Sequence, residues 1–161
     1  YGFTKEAGER LALQEQPESV VIRTSWVYSP HGKNFVKTML HLMREKPALK
    51  VVSDQLGCPT YARDLAEAIM QVIQALDAGN RHFGLYHFSN AGITSWYDFA
   101  CAIRDTAGLS CSVIPITTDE YPTPAKRPGY SVMDTSRITR DYGISMLPWQ
   151  ESLQKCLLAL L

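Results

Sequence analysis

The sequence lacks an excess of charge of either sign: 16 Lys and Arg balance 16 Asp and Glu over 161 residues. That balance excludes bulk attraction to nucleic acid or to an anionic membrane, so an anionic ligand has to be caught locally. No apolar run approaches the roughly 20 residues of a membrane span, and no basic start followed by an apolar stretch suggests a signal peptide. The four cysteines, Cys58, Cys101, Cys111 and Cys156, form no CxxC pair and have no histidine at zinc spacing. They read as reduced thiols in a cytoplasmic protein. His31, His41, His82 and His87 are dispersed, and Asp64 and Asp134 have no partner at metal spacing, so the expectation is no metal site. The ten glycines contain neither GxGxxG nor GxxGxxG, the turn that lets backbone amides approach a pyrophosphate. The chain opens on Tyr1 rather than Met, and the expectation is a fragment, a processed product or a trimmed piece.

Apolar residues make up 45% and charged residues 20%, which excludes disordered, collagen-like and fibrous classes and fits one compact globular domain. Helical and strand periodicities alternate, which predicts an α/β architecture with parallel strand pairing. Helices are expected at residues 2–15, through Phe35, Val36, Met39, Leu40 and Met43, and along a stripe of Leu65, Ile69, Val72, Ile73 and Leu76. Two more are expected, one N-capped by Thr94 with Trp96, Phe99, Ala100 and Ile103 inward, and one after Pro148 with Trp149, Leu153, Cys156, Leu157 and Leu160 inward. Strands are expected at Ser19 to Thr24, Leu49 to Val52, Gly84 to Phe88 and Cys111 to Ile116. Residues 25–33, 54–61 and the proline-rich stretch 117–134 read as loops, the last long enough for a binding role.

Several side chains carry potential chemistry. Tyr1 and Lys5 lie four apart on a helix and project from one face, so the cation would favour a phenolate able to exchange a proton with a carbonyl oxygen. The same spacing also arises by chance. The loop TSWVYSPHGKNF follows a strand of the buried parallel type, and open α/β sheets bind ligands beyond such strand ends. There Trp26 and Tyr28 offer flat apolar faces, Asn34 offers a side-chain hydrogen bond, and Trp26 equally suits a packing anchor. Arg127, between prolines, is either a solvated loop residue or a fork for a diphosphate.

Taken in order, YGFTKEAGE (1–9), VIRTSWVYSPHGKNFV (21–36), VVSDQLGCPTYARDLA (51–66) and RPGYSVMDTSRI (127–138) resemble the dTDP-4-dehydrorhamnose reductases, which are extended short-chain dehydrogenases. The resemblance implies the C-terminal part of a Rossmann-like fold with its substrate-binding lobe. Residues 1–48 would end the dinucleotide-binding sheet, residues 49–161 would form most of the sugar-nucleotide lobe, and the glycine-rich N-terminal half would be absent. It also implies NADPH- or NADH-dependent reduction of dTDP-4-dehydro-L-rhamnose in the full-length protein, for surface polysaccharide, with this piece inactive alone. By motif, Tyr1 and Lys5 would be catalytic and, with Thr24 and Ser25, would touch the cofactor. Trp26, Asn34, Gln55, Pro59, Thr60 and Arg127 would serve the substrate. The expected partners are a dTDP-sugar and, in some family members, a second subunit with Mg2+ at the interface, but neither nucleic acid nor membrane. The alternatives on the same scaffold are a non-catalytic regulatory protein and a nucleotide-sugar epimerase or dehydratase.

Overall fold

The computed structural model describes residues 2–123 and 127–160. Fifteen elements follow one another: α1 (Gly2–Glu15), β1 (Val20–Arg23), β2 (Val27–Tyr28), α2 (Phe35–Glu45), β3 (Ala48–Val52), β4 (Leu56–Gly57), β5 (Thr60–Tyr61), α3 (Ala62–Asp77), β6 (Gly84–His87), β7 (Thr94–Ser95), α4 (Trp96–Thr106), β8 (Ser112–Ile116), a 3-10 turn (Thr118–Glu120), α5 (Ser136–Tyr142) and α6 (Trp149–Leu158). Three strand pairs are parallel, β1 with β6, β2 with β5 and β3 with β8, and β4 pairs antiparallel with β7. Parallel pairing demands crossovers, which is why helices separate the long strands. The α/β class expected from the alternating periodicities is the class observed.

Local chemistry explains the helix ends. Asn34 caps α2 by accepting the Lys37 amide at 3.2 Å and donates to the Ser29 carbonyl at 2.8 Å. The cap of α4 is Ser95, one residue after the expected Thr94. Thr94 is held in β7 opposite Gly57, and the Ser95 hydroxyl accepts the Asp98 amide at 3.0 Å. Gly143, at φ 68°, ends α5 in the left-handed conformation that a glycine adopts without strain.

Two apolar clusters form the interior. The larger joins α2, α4 and α6 over β3 and β8 through Val36, Leu40, Phe99, Ile103, Val113 and Leu153. The smaller packs Ala68, Val72, Tyr86, Phe88, Ile138 and Ile144. The expected inner stripe of α3 is rotated: Asp64, Ala68 and Val72 face inward, whereas Ile69 and Ile73 are exposed. The buried Asp64 carboxylate sets that rotation, since it accepts from Asn90 Nδ2 at 2.6 Å and from the Ser152 hydroxyl. Asn90 in turn accepts the Tyr61 amide at 2.8 Å, so a fully partnered polar knot ties α3 to α6.

Candidate functional site

β1 ends at Arg23, and Thr24, Ser25 and Trp26 follow as a strand-end segment. Hydrogen bonds hold that segment to the loop after β4. Thr24 and Thr60 hydroxyls lie 3.2 Å apart, the Ser25 hydroxyl donates to the Cys58 carbonyl at 2.9 Å, and the Thr60 amide donates to the Trp26 carbonyl at 3.2 Å. Pro59 and Thr60 are fully buried, so they shape this segment from beneath. Five of the residues singled out in the sequence, Thr24, Ser25, Trp26, Pro59 and Thr60, are thereby brought together.

A cleft of about 700 Å³ opens between α2, β3 and the stretch after β8, a size suited to a small-molecule ligand. Gln55 and Arg127 line it, as do Phe35, Trp96, Tyr121 and the two cations Lys46 and Lys50. Gln55 is nearly buried and its amide donates to the Thr118 hydroxyl at 3.0 Å. That hydroxyl donates to Asp54 at 2.7 Å, and the Thr118 amide also points at the Asp54 carboxylate. These bonds, the amide first, hold the Asp54 carboxyl below the usual carboxylate range. The 3-10 turn is therefore pinned to the Asp54–Gln55 corner. Three cations beside three aromatic rings make a site for an anion that carries a flat ring.

Trp26 stands behind this cleft. Its indole stacks on Trp96 with centroids 3.6 Å apart and planes at 12°, and Trp96 leans on Phe35 at 4.6 Å. The aromatic residues at the cleft wall, Trp96 and Phe35, have the spacing of core positions, and nothing in that spacing marks their lining role. Tyr28 is the correction in this group. Instead of a ligand face it is a core residue, stacked on Tyr61 and tilted on Phe99, because the alternation of β2 turns it inward. Its buried hydroxyl has no hydrogen-bond partner among the described residues, and burial raises its pKa. Asn34 spends its side chain on the α2 cap. Tyr1 lies outside the described residues. Lys5 is on the exposed first turns of α1, one turn before Glu9, whose carboxylate receives Arg23 Nε at 3.0 Å to each oxygen.

Parallel strand pairs with crossover helices, strand ends gathered by a proline-containing loop, and a cationic aromatic cleft beside them are the features of a Rossmann-like α/β fold with a candidate ligand cleft. The chain belongs to the RmlD substrate binding domain family, whose description matches residues 1–161. It is 45% identical to the spore coat polysaccharide biosynthesis protein SpsK of Bacillus subtilis, across 98% of this chain and 53% of that protein. A solved dTDP-4-dehydrorhamnose reductase of Clostridium acetobutylicum is similar at TM-score 0.93 and 41% identity, covering 99% of this chain and 55% of that one. Another from Bacillus anthracis, solved in complex with NADP, is similar at TM-score 0.90 and 36% identity, covering 99% of this chain and 54% of that one. The chain thus spans about half the length of the relatives it matches. Among the described residues no helix is long and apolar enough to cross a membrane.

Proposed function

We propose that in the intact protein this chain is the sugar-nucleotide part of an NAD(P)H-dependent reductase that converts dTDP-4-dehydro-L-rhamnose to dTDP-L-rhamnose. One observation carries the reading: a single cleft joins Arg127, Lys46 and Lys50 to Trp96, Phe35, Tyr121 and the Gln55 amide. Cations suit the diphosphate, the rings suit the base, and an amide suits a base edge or a sugar hydroxyl. Residues 49–161 are then mostly the substrate lobe. Residues 1–48 bring the proton donor and the strand end.

Tyr1 gives its phenolic proton to the C4 oxygen as C4 is reduced, and Lys5, four residues on, favours the phenolate that remains. Thr24 and Ser25, at the carboxyl end of a parallel strand, occupy the position where open α/β sheets hold ligands, so they fit the nicotinamide side of a dinucleotide. The nicotinamide, when bound, supplies the hydride. Trp26, Asn34, Pro59 and Thr60 frame the substrate through the segments they brace, whereas Gln55 and Arg127 reach it directly. A second subunit with Mg2+ at the interface, which the family resemblance implies for some members, belongs to the same reading of the intact protein. Among the described residues no group of three His, Cys, Asp or Glu is placed to hold a metal ion.

The test is turnover of the intact protein with dTDP-4-dehydro-L-rhamnose and NADPH or NADH, followed by loss of reduced-nicotinamide absorbance. Substrate-dependent loss is expected, and Tyr1→Phe should lower kcat by about 100-fold or more while nucleotide-sugar affinity is largely kept. Isomer interconversion without net oxidation would instead assign an epimerase. Tight dTDP-sugar binding with neither reaction would make the protein a non-catalytic binder.

A further inference from the structure

β4 has only two residues, yet three parts of the cleft described above join it: Trp96, Gln55 and the Arg127 segment. One edge pairs with β7, whose last residue Ser95 is followed at once by Trp96. The other edge takes the segment that begins at Arg127: the Leu56 amide donates to the Gly129 carbonyl and the Ser131 amide to the Leu56 carbonyl, each at 2.8 Å. Gln55 immediately precedes β4. Gly57 is its second residue, and no side chain fits there. A Cβ would lie 2.6 Å from the Trp26 ring and 2.8 Å from the Ser131 hydroxyl oxygen, both well inside contact distance.

Trp26 cannot easily move aside. It is the one described non-glycine residue with a positive φ, 50°, a conformation that costs an L-residue energy unless its surroundings hold it. Its ring is fixed between the vacancy above Gly57 and the face of Trp96. We propose that Gly57 is a positioning residue for the nucleotide cleft. Its missing side chain seats the strained Trp26 indole flat against Trp96, which sets the cleft's aromatic wall in register with Gln55 and the Arg127 segment. The inference rests on the nucleotide reading of the cleft for its binding consequence, but not for its geometry.

Two readouts separate them. Two indoles stacked this closely couple their transitions, so the wild-type protein should show a tryptophan couplet in circular dichroism without any ligand. Gly57→Ala should abolish it. In calorimetric titration of dTDP into the intact protein, Gly57→Ala should raise Kd about tenfold or more. In a Trp26→Leu background, where the ring no longer competes for the space, the same Gly57→Ala change should alter Kd less than about twofold, since only contacting residues couple in this way. Ser131 is a short side chain that can turn away at the cost of the hydrogen bond its hydroxyl donates to the Leu56 carbonyl at 3.1 Å, so relief should come mainly from position 26. Should Gly57→Ala fail to fold alone, it should fold in the Trp26→Leu background, and failure in both would overturn the wedge. An unchanged couplet, an unchanged Kd, or equal losses in both backgrounds would also overturn it. Wild type that shows the couplet, loses it in Gly57→Ala, and binds no dTDP would leave the positioning of Trp26 standing and sink the nucleotide reading instead.

Discussion

Phe99 and Phe3 both sit on helices of the same chain, yet Phe99 is fully buried and Phe3 is 82% exposed. The contrast extends to their surroundings. Phe99 lies at the centre of an aromatic group with Tyr28, Phe35 and Trp149, in a lobe where α2, α4 and α6 close over β3 and β8. Helix α1 buries no residue, and the four residues of its neighbour β1 are only half-buried. The lobe that holds the cleft has a closed interior. The helix that carries Lys5 is held to β1 by the Glu9–Arg23 fork. Within the described residues the cleft's shape thus rests on packing, while α1 is held to β1 by charge.

The widest gap between the two regions should appear in truncation. Phe99→Ala should cost about 3–5 kcal/mol in denaturant unfolding, the range for deleting a core phenylalanine. Leu11→Ala on α1 should stay within about 0.5 kcal/mol, as surface changes do. Comparable losses at both positions would erase the contrast. The smaller, sharper test is pH. The fork from Arg23, first by hydrogen bond and then by charge, lowers the Glu9 pKa. A depressed folded-state value means that the tether is fully present above the ordinary carboxylate pKa and is lost as pH falls through the depressed one. Amide protection of α1, corrected for intrinsic exchange, should therefore hold at neutral pH and fall in acid in the wild-type protein. Glu9→Gln should show the low value throughout, a difference of about 1 kcal/mol or less for a pair this accessible. Identical pH profiles would show that the fork does not hold α1.

The long elements were legible in the sequence because their periodicity is the packing. Val36, Met39, Leu40 and Met43 are buried where the α2 spacing placed them. Residues 54–61 read as a loop, and the two-residue strands β4 and β5 inside it leave no periodic trace, since pairing partners far along the chain create them. Helix α5 has no counterpart in the expected elements, although Asp134 and Thr135 before it, Ser136 at its start and Gly143 after it are start and stop signals for a helix. The α3 stripe was misjudged by hydrophobicity alone: a buried carboxylate with two donors outweighed two isoleucines. Among candidate site residues, Gln55 and Arg127 reach the cleft, but nothing local in the sequence marks Lys46, Lys50, Trp96 and Tyr121 as their companions. Tertiary folding alone assembles that set.

Calorimetric titration of dTDP into the intact protein and its Arg127→Ala variant tests most directly whether the nucleotide sits in the cleft. A charge-assisted contact is worth roughly 1.5–3 kcal/mol, so Kd should rise by about one to two decades in Arg127→Ala, and Arg127→Lys should recover only part because it cannot fork. Equal affinity of wild type and Arg127→Ala would contradict the assignment of Arg127 to the diphosphate and, with it, the placement of the nucleotide in this cleft.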